Sequence, residues 1–259
     1  MTQSFTRILY DSADGVATIT LNRPEKRNAL DDATIQDLKD GLARAAGDVL
    51  VRAIVLRSSG ADFCAGADLS ALQKIAESSV LENRDDARSM MELFVAMRRL
   101  PKPIVAAVRG RALAGGCGLA TACDLVVAAE SAQFGYPEVK LGFVPAMVMA
   151  MLRRCVSEKI AFELIARGES ISANRAAAVG LVNLVVDDDG FDASVAKYVE
   201  GLSKASASAI ALSKYLLYQI DGMTFDAAIS AGADLNAVAR LTDDCKRGIA
   251  RFLKKDSND

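Results

Sequence analysis

The sequence predicts an α/β fold in which a mixed core is followed by an almost entirely helical region. Three observations support this. In the first half, short runs rich in β-branched residues alternate with segments of helical periodicity. Two glycine-rich turns each follow an apolar strand and precede a helical segment. After about residue 145, strand signals nearly vanish.

The first half contains four predicted strands separated by helices. The strands are residues 16–21, 53–56, 104–108 and 124–128. The run at 104–108 is apolar throughout, as expected of a strand that is buried on both faces. One helix begins at Asp31-Asp32, because acidic residues favour a first turn. Another runs from about Asp85 to Leu100, where Pro101 ends it.

Helical periodicity dominates the second half. The predicted helices are residues 158–167, 195–202, 207–220, 225–239 and 243–254, and residues 181–186 are the one predicted strand. We therefore divide the chain into a core, residues 1–195, and a C-terminal helical oligomerisation region, residues 196–259. Late helices that are short and rich in small residues suit contacts between subunits.

The composition excludes several kinds of site. The chain has 259 residues and no histidine, so Ser-His-Asp triads and histidine-bound metal or haem are excluded. Its formal charge of −2 argues against nucleic acid as a partner. The five cysteines include no C-x-x-C pair, which argues against a zinc ribbon or a disulfide framework. Without an apolar leader or membrane-length run, we expect a cytoplasmic protein with no membrane partner.

The two glycine-rich turns are candidates for binding an oxyanion. One surrounds Gly60 and Gly66, and the other spans residues 110–118. The second is not a P-loop, because Gly115 is followed by Gly116-Cys117. Two helix N-termini brought together would offer two backbone N–H groups to one developing negative oxygen. The alternative is that these glycines only permit tight packing.

Glu138 is the candidate general acid or base. It lies between Pro137 and Pro145 in a largely apolar stretch that includes Leu141 and Phe143. Partial desolvation there would raise the pKa of its carboxyl, which suits proton transfer. The alternative is a surface glutamate that begins a short helix.

Several segments together resemble the enoyl-CoA hydratase/isomerase family, the crotonase superfamily. They occur in the family's order and cover nearly the whole chain, so the resemblance is specific for the family but not for the reaction. The segments are 21–30 (LNRPEKRNAL), 62–69 (DFCAGADL), 102–110 (KPIVAAVRG), 114–119 (AGGCGL), 123–124 (CD), 132–138 (AQFGYPE), 180–183 (GLVN) and 242–244 (TDD).

The resemblance implies a spiral of β-β-α units with a helical trimerisation region, assembled as a homotrimer or as a hexamer of two trimers. It implies an acyl-CoA thioester substrate, with no metal and no cofactor beyond the coenzyme A of the substrate. The backbone N–H groups of Ala67 and Gly115 match the family's oxyanion hole, and Glu138 matches its acid/base.

The resemblance also implies residues that bind the substrate. Those matched to coenzyme A contacts are Lys26, Arg27, Ala65, Asp68 and Leu69. Two methionines after Pro145, Met147 and Met151, would form an adaptable apolar wall for the acyl group. The alternative for these methionines is a core-facing stripe of a helix.

The sequence departs from the family's hydratases at one position. Those hydratases carry two glutamates twenty positions apart, and where the first should lie this chain has Gly118. The single Glu138 resembles the Δ3-Δ2 enoyl-CoA isomerases. Since syn hydration of a 2-enoyl-CoA is the family's commonest reaction, we expect an enoyl-CoA hydratase, a lyase, with the isomerase as the alternative.

Two further alternatives remain open. One is decarboxylation or C–C cleavage of a carboxylated acyl-CoA, for which Arg111 or Arg153 would supply a cationic clamp. The other is a non-catalytic acyl-CoA-binding scaffold or a member recruited to RNA. Glu138 and both glycine turns argue against a dead site, and the charge of −2 argues against RNA.

Overall fold

The structure is a computed structural model that describes residues 4–256. Its strands are β1 (Ile8–Ala13), β2 (Val16–Leu21), β3 (Ala53–Ser58), β4 (Ile104–Val108), β5 (Arg111–Leu113), β6 (Leu125–Ala129), β7 (Gln133–Gly135), β8 (Ile171–Ser172) and β9 (Leu184–Val186). Its α-helices are α1 (Asp32–Gly47), α2 (Leu69–Glu77), α3 (Val80–Arg99), α4 (Gly115–Ala122), α5 (Ala146–Cys155), α6 (Glu158–Arg167), α7 (Ala173–Ala178), α8 (Phe191–Ser203), α9 (Ala207–Gln219), α10 (Phe225–Leu241) and α11 (Asp243–Asp256).

The larger sheet has six strands in the order β1-β2-β3-β4-β6-β9. The pair β1–β2 is antiparallel, and the remaining neighbours are parallel. Successive side chains of its central strands face two different hydrophobic cores in turn. Ile54 and Ile104 face the larger core together with α1 and α3, whereas Val55 and Val105 face a smaller core closed by α8. Helices therefore cover both faces, which explains why β4 is apolar throughout.

The smaller sheet, β5-β7-β8, positions the loops of the site. Strand β5 runs parallel to β7, with Arg111 opposite Gln133. Strand β5 leads into α4, and β7 leads into a 3₁₀ turn at Pro137–Leu141. Two isolated bridges, Leu30 with Ala67 and Cys64 with Ala112, fasten the neighbouring loops. The segments that contain Leu30 and residues 64–67 therefore lie beside strands β5 and β7.

Several elements differ from the sequence prediction. Strand β1 and the smaller sheet were not predicted. The strands of the smaller sheet have only two or three residues, too few to show a periodicity. Helix α3 begins at Val80 rather than near Asp85. The predicted boundary at residue 195 falls inside α8, whose buried Phe191, Val195 and Val199 pack on the sheet. The structure therefore places the end of the core after α8.

The last three helices are attached to the core through α9. Lys214 of α9 is buried and lies 2.7 Å from the Asp124 carboxylate. It also donates hydrogen bonds to the carbonyl oxygens of Met97 and Lys102, and Tyr218 donates one to Asp124. A buried charge of this kind is tolerated because each polar group has a partner.

Across residues 4–256, no helix combines the length and the apolar character that a bilayer crossing needs.

Candidate active site

The two glycine-rich turns lie against each other. Gly66 has a φ of +98°, and a Cβ placed on it would lie 2.9 Å from the Ala114 Cβ and 3.2 Å from the Leu113 carbonyl oxygen. The same position is 3.7 Å from the Gly115 nitrogen. Only glycine accommodates both this φ and this contact. The glycines therefore permit tight packing, and that packing is what brings the two turns together.

Two backbone N–H groups border the same cavity. Leu30 donates to the Gly66 carbonyl at 2.7 Å, and Asp68 donates to the Leu30 carbonyl at 2.9 Å, so this bridge pairs the residues on either side of Ala67. Gly115 is the first residue of α4, and its N–H has no acceptor within that helix. Ala67 and Gly115 both line the cavity. The structure thus brings the two predicted donors to one wall.

Ala114, which caps α4, has a strained backbone. Its φ of 49° and ψ of −125° are rarely adopted by a residue with a Cβ. Its N–H donates to the Gly135 carbonyl at 2.9 Å, which fixes the turn to β7. Strain of about 1–3 kcal/mol at such a residue is found at functional sites. Here it lies directly before the Gly115 N–H.

Glu138 lies in the 3₁₀ turn that follows β7. Pro137 begins this turn, and the Glu138 side chain lines the cavity. Its Oε2 is buried and has no hydrogen-bond partner among the described residues. Burial raises the pKa of the Glu138 carboxyl, and its own backbone N–H opposes this effect. A carboxyl with one buried, unpartnered oxygen and a raised pKa is suited to exchange a proton with a bound molecule.

The cavity has a volume of about 830 Å³. Helices α1, α2 and α3 form one side, and the segment from Pro137 to Met147 forms the other. Its apolar lining includes Leu30, Ile35, Ala71, Ile75, Ala87, Met90, Leu141, Phe143 and Val144. A mostly apolar cavity with a few convergent polar groups is typical of a small-molecule site.

Gly118 leaves no room for a second glutamate. It is buried within α4, and a Cβ at this position would lie 2.8 Å from Val148 Cγ2 and 3.2 Å from Phe94 Cζ. The volume beside Gly118 is therefore already filled by apolar side chains. Glycine here is part of a packed wall that also involves Val148 and Phe94.

Of the residues matched to coenzyme A, Ala65 lines the cavity, and the others are not part of its described lining. Lys26 and Arg27 are exposed in the loop after β2. The Ala65 N–H donates to the Arg27 carbonyl at 3.0 Å, which places this basic loop beside the Ala65 turn. The arrangement brings two cations and the turn together, and their contact with a ligand stays a prediction.

Asp68 makes its contacts within the chain. It caps α2 by accepting from the Ser70 N–H, and it lies 2.9 Å from Arg23. The hydrogen bonds from Ser70, followed by the Arg23 guanidinium, hold the pKa of Asp68 at about 2. A contact of Asp68 with coenzyme A stays a prediction. The side chain of Leu69 lies outside the described residues.

Of the two predicted acyl-pocket methionines, only Met147 lines the cavity. Met151, one helical turn further along α5, is buried and faces a separate cavity between α3, α5 and α9. Met147 lines this second cavity as well, and a role of Met151 in an acyl pocket stays a prediction. Met151 belongs to the core-facing stripe that was the alternative for these residues.

Neither predicted cationic clamp reaches the cavity. Arg111 forms an ion pair with Asp62 at 2.8 Å, and its guanidinium lowers the pKa of Asp62. Arg153 is exposed on α5 and is not part of the cavity lining. The geometry therefore offers no support for decarboxylation or C–C cleavage through these residues.

Asn28 supports the site but was given no role from the sequence. It is buried with a φ of 54°, and its Oδ1 accepts from the Arg23 N–H. Its Nδ2 donates to the carbonyl oxygens of Ser59 and Asp62 at 2.7 and 2.9 Å. Asn28 thus attaches the basic loop to the segment before Ala65. Its place directly after Arg27 was the available signal, since asparagine tolerates a positive φ.

Residues 4–256 contain no group of three or more cysteine or acidic side chains arranged to hold a metal ion. That the chemistry uses no metal or other cofactor stays a prediction.

The chain is similar to known proteins along nearly its whole length. The family model described as enoyl-CoA hydratase/isomerase matches residues 11–259. The chain is 35% identical to the 2,3-dehydroadipyl-CoA hydratase of Escherichia coli strain K12, with 94% of each chain covered. It is 33% identical to the crotonyl-CoA hydratase of Syntrophomonas wolfei subsp. wolfei, covering 97% of this chain and 96% of that protein.

A solved structure is equally similar. The crystal structure of an enoyl-CoA hydratase from Mycobacterium smegmatis superposes with a TM-score of 0.92 at 34% identity. The match covers 96% of this chain and 97% of that one.

Proposed function

This chain belongs to the enoyl-CoA hydratase/isomerase family, and from that membership we propose that it is an enoyl-CoA hydratase that adds water to a 2-enoyl-CoA. The likeness to solved structures confirms the expected crotonase-like fold. One observation carries the assignment to a site. Glu138, whose Oε2 has no hydrogen-bond partner among the described residues, lines the same cavity as Ala67 and Gly115.

The two N–H groups would bind the thioester carbonyl oxygen. When a nucleophile adds to the β-carbon, negative charge moves onto this oxygen and an enolate forms. Donors fixed in advance stabilise that charge more than they stabilise the neutral carbonyl, and one such donor contributes on the order of 3 kcal/mol. The packing of Gly66 on Ala114 supports this role, because it holds the donors of Ala67 and Gly115 near each other.

Glu138 would carry both proton transfers. Its carboxylate takes a proton from water as the water oxygen bonds to the β-carbon. The protonated Glu138 then gives this proton to the α-carbon of the enolate, which regenerates the carboxylate. One water is added, and both new bonds form on the face that Glu138 occupies, so addition is syn. These reaction steps need no carboxylate at position 118, where Val148 and Phe94 fill the space.

Δ3-Δ2 isomerisation is the second candidate, and the filled space at Gly118 favours it. In that reaction Glu138 would remove a proton from the α-carbon of a 3-enoyl-CoA and return it to the γ-carbon. The same N–H groups would hold the intermediate enolate. Neither water nor a second carboxylate takes part.

An assay of purified protein with a short 2-enoyl-CoA and with its 3-enoyl isomer, resolved by mass, separates the two reactions. Hydratase activity adds the mass of one water to the 2-enoyl substrate. Interconversion of the two substrates without a change of mass identifies an isomerase instead. Absence of both products, with thioester binding intact, contradicts the proposed function and leaves the scaffold.

The assembly, the location and the coenzyme A contacts are part of the same proposal. Exposed apolar side chains on the last two helices support a homotrimer, alone or paired as a hexamer; they include Phe225, Ile229, Val238, Leu241, Ile249 and Phe252. Free cysteines support a cytoplasmic location. Lys26 and Arg27 would meet the phosphates or pantetheine of coenzyme A, and the Ala65 turn would meet its adenine end.

A further inference from the structure

One face of α3 forms a wall of the cavity. Asn83, Asp86, Ala87 and Met90 all line it, and their spacing of three and four residues places them on one side of the helix. The Met90 Cε lies 3.8 Å from a Cβ placed on Gly115. Asp86 is one helical turn, about 6 Å along the axis, beyond Met90. The cavity therefore continues from the oxyanion donors toward Asp86.

Asp86 is a half-buried carboxylate that lies beside the Asp32 carboxyl. It is partly buried in a cavity whose nearby walls include Ile75 and Ala71 of α2. Within residues 4–256 it forms no ion pair, because Lys74, the cation that acts on it, pairs with Asp32 at 2.8 Å. Burial first, and then the Asp32 carboxyl, raises the pKa of Asp86. Asp86 also shares a side-chain hydrogen bond with Asp32, and among the described residues no cation lies within ion-pair distance of it.

Asp86 and Glu138 do not contribute to each other's pKa shift. Burial and its own backbone set the pKa of Glu138, with no contribution from another carboxyl among the described residues. The groups that act on Asp86 are Asp32 and Lys74. Two carboxyls holding one water would perturb each other. The two carboxyls line the same cavity but show no such mutual perturbation.

We propose that Asp86 is a specificity-determining residue that selects acyl chains carrying a hydroxyl group near their far end. The thioester carbonyl at Ala67 and Gly115 directs the chain along α3, so the inference rests on the proposed function. A neutral hydroxyl can donate a hydrogen bond to the Asp86 carboxylate, and hydrogen bonds to charged groups are among the stronger ones. A chain ending in a carboxylate is repelled by Asp86.

The test measures equilibrium binding of two saturated thioesters that cannot be hydrated, hexanoyl-CoA and ω-hydroxyhexanoyl-CoA, by titration calorimetry. The wild-type protein is expected to bind the hydroxylated chain about tenfold more tightly, as a hydrogen bond to a charged group implies. Asp86→Leu removes this preference, and Asp86→Asn, which keeps an acceptor oxygen, retains part of it. Asp85→Leu is the matched control, because Asp85 is exposed on the same helix and pairs with Arg84.

The possible results distinguish failure of this inference from failure of the proposed function. An equal ratio of the two dissociation constants in wild type and Asp86→Leu overturns the inference and leaves the proposed function standing. Tighter wild-type binding of adipyl-CoA than of hexanoyl-CoA also overturns it, because the carboxylate at the chain end should be repelled. Failure of the wild-type protein to bind any of these thioesters contradicts the proposed function itself, and the inference falls with it.

Discussion

Glu138 links the environment of a single residue to the pH dependence of the reaction. Because burial raises the pKa of its carboxyl, we expect kcat/KM to rise with pH through a value above the ordinary glutamate pKa of about 4.3. Glu138→Gln should lower kcat by about 10²–10⁴-fold and remove this pH step. Glu158→Gln, an exposed change on α6, is the control and should leave both unchanged.

The raised pKa of Glu138 also makes the stability of the folded protein depend on pH. The pKa of Glu138 is higher in the folded than in the unfolded protein. The carboxyl therefore contributes fully to folding stability below the unfolded pKa, and this contribution is lost as pH rises through the folded pKa. Glu138→Gln should therefore unfold at a higher temperature than wild type at neutral pH, but not in acid. Equal Tm values of the two proteins at neutral pH would contradict the environment assigned to this carboxyl.

The packing around Gly118 predicts that larger residues at this position destabilise the protein. Gly118→Glu should lower the free energy of unfolding by about 1–3 kcal/mol, because its side chain meets Val148 and Phe94. Adding Val148→Ala removes the nearest contact and should restore part of this loss. Denaturant unfolding measures both variants. The control is Gly201→Glu, since a Cβ there meets nothing within 4 Å; an equal loss in this control would contradict the packing argument.

At the scale of elements, the site depends on contact between two turns. Gly66→Ala introduces a Cβ 2.9 Å from Ala114, at a φ of +98°. The turns must then separate, and losing one oxyanion donor should lower kcat by about 10²–10³-fold.

The control for this change is Gly15→Ala, in the β1–β2 turn. Gly15 also has a positive φ, +79°, and its nearest contact is the flexible Arg52 side chain. It should cost stability but retain kcat. Equal kcat losses in the two variants would show that backbone strain anywhere in the chain, rather than donor geometry, limits the reaction.

The sequence predicts some elements much better than others. The apolar run of β4 and the periodicity of α1 are local signals, and both elements were predicted. The start of α3 was missed although Ser79 and Glu82 form a capping box that is readable in the sequence. The cavity-lining role of Asp86 could not be predicted, because periodicity does not say which distant element a helix face will meet.

For the molecule as a whole, the apolar surface of α10 and α11 predicts association. Because such a surface is costly in water, the protein should elute with a mass of three or six times 27.4 kDa when measured by light scattering after size exclusion. A mass of 27.4 kDa at micromolar concentration would contradict the proposed assembly.

The central claim is that Glu138 moves a proton at the α-carbon of a thioester bound by Ala67 and Gly115. The most direct test follows the exchange of α-protons of butyryl-CoA with deuterium in D₂O, since this reports enolate formation whether the enzyme hydrates or isomerises. We expect the wild-type protein to exchange one of the two α-protons, and we expect Glu138→Gln to lose this exchange. Equal exchange by both proteins would contradict it.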